Sequence, residues 1–167
     1  SWINLVNPDL KISDPAAFFA SYKAMILEWG ALAQKYGVDS LCIGNEMVAA
    51  TKPEYTKYWL DIIADLRKVY DGDLTYAALA PVMTNAAANE ITQIGFWDQL
   101  DYAGFDVFPS LTHTTTPTVE DLKQGWYDTT VYGNPQNYVE FLIERAAHVG
   151  KPIVFAETGL FSFDGAA

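Results

Sequence analysis

Apolar positions along this chain follow two periods in turn. Phe18, Tyr22, Met25, Ile26, Trp29 and Leu32 recur at spacings of three and four, the stripe of an amphipathic helix. Asp14-Pro15 opens that helix with proline in its first turn, and Gly37 closes it, which predicts a helix over about 15–36. A short, nearly unbroken apolar run follows and predicts a buried strand over about 40–46. The alternation then repeats. Thr51-Lys52-Pro53-Glu54 starts a helix predicted to run to about Tyr70, with Tyr55, Tyr58, Trp59, Ile62, Ile63, Leu66 and Val69 on its inner face. After the Asp71-Gly72-Asp73 turn comes a strand over 74–80, then a weaker helical stretch over 84–99 and a strand over 102–108 closed by Pro109. The polar loop SLTHTTTPT leads to helices over about 119–126 and 135–149, and a last strand occupies 152–157.

Strand and helix in alternation, with strands apolar on both faces, is the pattern of parallel α/β architecture. Four strands are expected, whereas a closed (β/α)8 barrel takes about 250 residues. The 167 residues therefore make either a small open sheet or part of a barrel, in one domain spanning 1–167.

Composition narrows the function. Half the residues are apolar, so the chain is globular, and no apolar run approaches a membrane span. The formal charge of −11 without any basic block speaks against a nucleic-acid partner. Cys42 has no second cysteine to pair with and reads as core between Leu41 and Ile43. His113 and His148 share no metal-ligand spacing, so a zinc site is not expected. The chain begins at Ser1 with no visible signal peptide, which reads as a processed or excised product and leaves the compartment open.

The chemistry is concentrated at the strand ends. The first strand runs out into Gly44-Asn45-Glu46, the third carries Asp106 and Phe108, and the fourth delivers Glu157. In a parallel barrel these ends share one mouth. A lone Glu at a strand end is as often a cap or an ion-pair partner. Two of them, one preceded by Asn, suit glycoside cleavage, in which one carboxyl protonates the leaving oxygen and the other attacks. The amide of Asn45 beside the acid suits a sugar 2-hydroxyl.

These features resemble the retaining (β/α)8-barrel glycosidases. The ordered blocks WINLVNPDLKISDPAAFFASYKAMILEWGALAQKYGVDSLCIGNEM, GDLTYAALA, IGFWDQLDYAGFDVFPSL, PTVEDLKQGW and KPIVFAETGLFS resemble glycoside hydrolase family 113, which contains endo-β-1,4-mannanases. The resemblance implies that the four strands are the fourth to seventh of a barrel. It implies Glu46 as acid/base, Glu157 as nucleophile and Asn45 as the 2-hydroxyl partner, with no cofactor. Trp2 falls where the family has an aromatic residue by the cleft, His113 lies on the loop over the mouth, and Trp126 is a candidate subsite residue. Asp106 is expected to be structural or orienting. The implied partner is an oligo- or polysaccharide, most simply β-mannan. The other barrel half would lie in the same parent chain, or the open edges would self-associate.

Retention asks for carboxyls about 5–5.5 Å apart, and for an acid of raised pKa beside an ionised nucleophile. Two positions depart from the family pattern. Asp106-Val107-Phe108 stands where Asp-Ala-Tyr is usual, with Tyr127 or Tyr132 as possible sources of the missing hydroxyl, and Ala78-Leu79-Ala80 replaces an ending in Asn and a bulky aromatic. A carbohydrate-binding or scaffold domain without turnover is the alternative that these departures leave open.

Overall fold

The computed structural model describes residues 5–80, 90–129 and 137–159. Helix α1 (Pro15–Tyr36) leads into strand β1 (Ser40–Asn45). A 3-10 turn, Pro53–Tyr55, precedes helix α2 (Thr56–Leu66) and strand β2 (Asp73–Leu79). The stretch expected to be helical over 84–99 lies partly outside the described residues. Its described part is broken into a short helix, α3 (Glu90–Gln93), and a 3-10 turn, Trp97–Gln99. Strand β3 (Ala103–Val107), helices α4 (Val119–Gly125) and α5 (Tyr138–Val149), and strand β4 (Ile153–Thr158) complete the order.

Local chemistry accounts for the helix ends. The Asp14 side chain accepts from the Ala17 N–H at 3.0 Å, and Gly37 ends α1 in the left-handed conformation. Thr118 and Asp121 form a reciprocal capping box on α4. Asn137 caps α5, and Gly150 closes it. None of the described helices is long and apolar enough to cross a membrane.

All strand pairs are parallel, and the sheet order is β1-β2-β3-β4. Sequential order has a consequence. Right-handed crossovers taken always in the same direction keep the helices on one face of the sheet, as in a barrel wall. Among the described strands the order does not reverse, so they do not form the crevice that doubly wound sheets use for ligands. The α/β, part-barrel class expected from the sequence is the one observed.

The core fills the space between sheet and helices. Trp59, Tyr76, Phe96 and Phe105 are fully buried there with Ile43, Ile62, Leu66 and Leu74. Trp59 stacks on Phe96 at 4.9 Å, meets Tyr76 edge-on at 5.5 Å, and donates its indole N–H to the Ala50 carbonyl at 2.9 Å.

Three expectations need correction. Val69, expected on the inner face of the second helix, lies beyond the end of α2 and is exposed. The buried face of α1 is Phe19, Tyr22, Ile26, Gly30 and Ala33, while Trp29 is 58% and Leu32 47% exposed. The small residues decide this rotation. A Cβ at Gly30 would fall 2.3 Å from Leu66 Cδ1, so α1 and α2 approach closely there and any side chain at position 30 would have to displace Leu66. Gly30→Val is expected to destabilise the protein by about 2 kcal/mol through overpacking, measured by urea unfolding of the complete protein. Cys42 was expected in the core and is instead exposed. Alternation along β1 buries Ile43 under the helices and turns Cys42 to the opposite face, which the four strands leave uncovered. β4, equally apolar, is likewise exposed over most of its length.

Candidate active site

Glu46 follows directly on β1, in a left-handed conformation (φ 46°), and is the one non-glycine residue of positive φ among the described residues. Such a conformation persists where neighbours hold it. Here the Glu46 N–H donates to the Ala77 carbonyl at 2.9 Å, and the Met47 N–H donates to the Tyr76 hydroxyl at 2.7 Å. The turn that follows, Met47 to Thr51, is buried.

Glu157 lies near the end of β4. In a flat sheet, the first and fourth strands would stand about 14 Å apart, three strand spacings. Yet Asn45 Nδ2 donates to Glu157 Oε1 at 2.6 Å, across 112 residues of sequence. The sheet must therefore curl so that its two edges face each other at the carboxyl end of the strands. Both edge strands also change register just before their acidic ends. The β1–β2 register shifts between Cys42 and Asn45, and the β3–β4 register shifts at Phe105/Asp106. Each irregularity places an extra residue in an edge strand and so reverses its side-chain alternation at the mouth.

The electrostatics follow from this crowding. Partial burial raises the Glu46 pKa, and the negative charge of Glu157 raises it further. Asp106 sits between them on β3, opposite Glu157 in register and almost fully buried. Neither of its carboxyl oxygens has a hydrogen-bond partner among the described residues. Burial first, then the charges of Glu157, Glu46 and Glu90, push its pKa up to about 7. A raised carboxyl pKa costs stability once the group ionises. The penalty is absent below about pH 4, grows between pH 4 and 7, and is full above. Asp106→Asn is therefore expected to stabilise the complete protein by about 2 kcal/mol at pH 8, and by almost nothing at pH 4. Urea unfolding at the two pH values measures the difference.

A second acidic residue lies deeper. Glu90 is fully buried and accepts from Tyr76 Oη at 2.6 Å, Thr51 Oγ1 at 2.9 Å and the Leu79 N–H at 2.8 Å. Burial is the main reason its pKa rises to about 7. Among the described residues, no three His, Cys, Asp or Glu side chains converge in a way that could hold a metal ion.

The profile of glycoside hydrolase family 113 matches residues 3–167. The chain belongs to glycoside hydrolase family 113. No curated protein sequence matches it. Among solved structures, the GH113 β-mannanase of Alicyclobacillus acidocaldarius in complex with ManMIm is 26% identical, with a TM-score of 0.63 over 96% of this chain and 42% of that one. A second GH113 β-1,4-mannanase structure is 21% identical, with a TM-score of 0.61 over 91% of this chain and 40% of its own. A complex of a GH113 β-1,4-mannanase is 20% identical, with a TM-score of 0.57 over 90% and 40%. The chain thus spans about two fifths of the length of these structures.

Within this GH113 segment, Asn45, Glu46 and Glu157 come together at the mouth, and Asp106 joins them. Trp126 stands to one side. It stacks on Phe155 of β4 at 6.1 Å with nearly parallel rings, and it lines a groove of about 360 Å³ with Leu111, Val119, Leu122, Thr158 and Gly159. His113 is exposed on the loop before α4. Trp2 and Tyr132 lie outside the described residues. Tyr127 is 57% exposed at the end of α4, and Phe108, in place of the family tyrosine, is 47% exposed. The Glu90 cluster had no signal in the sequence, because one Glu in the polar run NAAANE looks like surface.

Proposed function

We propose that this chain is the catalytic, partial-barrel domain of a retaining glycoside hydrolase that cleaves β-1,4-linked mannan. The observation that carries the reading is the meeting of the two edge-strand ends, where Asn45 bonds Glu157 and the Glu157 charge raises the Glu46 pKa. A raised pKa suits an acid that must stay protonated near neutrality. The choice of mannan rests on the family and on relatives described as β-1,4-mannanases.

In the first step a Glu157 oxygen attacks the anomeric carbon as the glycosidic C–O bond breaks. Glu46 gives its proton to the departing oxygen, leaving a glycosyl ester on Glu157. In the second step water attacks the same carbon and passes a proton to Glu46, and the ester bond breaks to restore Glu157. Asn45 holds Glu157 in the free protein and turns to the 2-hydroxyl when a sugar is bound. Trp126, beside the groove, offers an aromatic face to a sugar ring, with His113 and Trp2 as further contacts. No step needs a metal or organic cofactor.

The test uses the complete protein and mannohexaose. Proton NMR of the first products should show the β anomer, and incubation with 2,4-dinitrophenyl 2-deoxy-2-fluoro-β-mannoside should label the peptide carrying Glu157. An initial α anomer would point to inversion. Mannohexaose binding without hydrolysis would favour a carbohydrate-binding domain, and no binding at all would favour a scaffold.

A further inference from the structure

The residues that hold Glu46 are as specific as Glu46 itself. Tyr76, on β2, touches the acid-bearing segment on both sides. Its ring lies against Gly44, where a Cβ would fall 2.8 Å from Cε2, and its hydroxyl accepts the Met47 N–H at 2.7 Å. Asn45 and Glu46 are the two residues between these contacts. The ring cannot slide, because Trp59 and Phe96 meet it edge-on at 5.5 and 5.7 Å. The hydroxyl cannot rotate freely either. Having accepted from Met47, it gives its own proton to Glu90 Oε1 at 2.6 Å.

Glu90 completes the clamp. Its Oε2 accepts the Leu79 N–H at the end of β2, and its Oε1 also accepts from Thr51 Oγ1. Thr51 closes the turn from the other end: with its one proton on Glu90, its Oγ1 lies 3.3 and 3.4 Å from the Met47 and Val48 carbonyl oxygens. Gln93 adds two bonds to the same turn, from Nε2 to the Val48 carbonyl and to Thr51 Oγ1. A fully buried carboxyl is costly, and hydrophobic packing alone would serve the core better. What the polar cluster supplies is direction. Every bond it makes ends on β2, on Tyr76, or on the turn after Glu46.

We propose that Tyr76 and Glu90 are positioning residues that hold Glu46 in its left-handed conformation and so aim the acid at the glycosidic oxygen. The inference rests on the reading of Glu46 as the acid. It concerns residues that touch no substrate and act through the backbone on either side of that acid.

Leaving-group dependence provides the test. An aryl glycoside with a very good leaving group needs no proton donor in the first step, whereas a sugar leaving group does. Mispositioning the acid therefore harms one substrate and spares the other. Tyr76→Phe and Glu90→Gln are made in the complete protein and compared by kcat/KM on mannohexaose and on 2,4-dinitrophenyl β-mannobioside. Both variants are expected to lose about 10- to 100-fold on mannohexaose and less than about 3-fold on the dinitrophenyl substrate. Equal losses on the two substrates would show a merely structural role and overturn the proposal, as would no loss on either. Should Tyr76→Phe fail to fold, Glu90→Gln carries the comparison, since it keeps side-chain size and an acceptor oxygen.

Glu46→Gln, run in parallel, separates the two levels of inference. If it too is unselective between the substrates, Glu46 is not the acid and both readings fall. If it is selective while the Tyr76 and Glu90 variants are not, the positioning role alone falls.

Discussion

Glu157→Ala is expected to lower hydrolysis of mannohexaose by the complete protein roughly 10⁴- to 10⁶-fold, with its fold intact. The size follows from the role. With Glu157 as the proposed nucleophile, no glycosyl ester would form without the carboxylate, and the full covalent route would be lost rather than weakened. In free energy this is about 5–8 kcal/mol of transition-state stabilisation. The fold should survive because Glu157 is exposed and, among the hydrogen bonds of the described residues, its carboxylate takes one from Asn45. Steady-state rates give the loss, and circular dichroism confirms the fold. An external anion sharpens the result. Azide can enter the space left by the carboxylate and attack the anomeric carbon from the face that Glu157 used, giving an α-mannosyl azide from an activated substrate. A loss below about 10-fold would remove Glu157 from the chemistry.

The second large effect concerns Glu46. Glu46→Ala should reduce kcat/KM on mannohexaose about 10³-fold, the range expected for loss of a general acid, and leave kcat/KM on 2,4-dinitrophenyl β-mannobioside within a few-fold. Azide should now produce a β-mannosyl azide, because it intercepts the glycosyl ester in place of water. The pH profile adds a sign. As the proposed acid, Glu46 would act protonated in the first step, so kcat/KM is expected to fall as pH rises through its pKa. Burial and the Glu157 charge raise that pKa, which moves the falling limb above the ordinary carboxyl range. In Glu46→Ala the limb should vanish for the activated substrate. Its persistence would assign the titration to another group, with Asp106 and Glu90 the neighbours to examine, since both have pKa values near 7.

Much of this was legible in local pattern. The strand periods, the Asp14-Pro15 opening and Gly37 close of the first helix, and the acidic residues at two strand ends are properties of neighbouring residues, so the chain shows them without folding. The helix–strand order together with the motif blocks also identified the family, which the profile match over residues 3–167 bears out. Local pattern misled where packing partners decide burial. The apolar stripe of α1 runs through Trp29 and Leu32, but Gly30 and Ala33 allow α2 to approach, so the helix turns those larger side chains outward. Cys42 is apolar in context and exposed in fact, because burial of a strand face depends on what covers it.

The sequence by itself determined which residues could do chemistry here: two Glu at strand ends, an Asn beside one of them, and an aromatic helix end at Trp126. Tertiary structure alone decided that they meet. Register shifts in β1 and β4 and the curl of the sheet bring Asn45 within 2.6 Å of Glu157, and a buried Tyr76–Glu90 pair braces the backbone around Glu46. The reason is physical. Periodicity reports the environment of each residue along its own element, whereas register, curvature and buried hydrogen bonds are set by pairings between elements far apart in the chain.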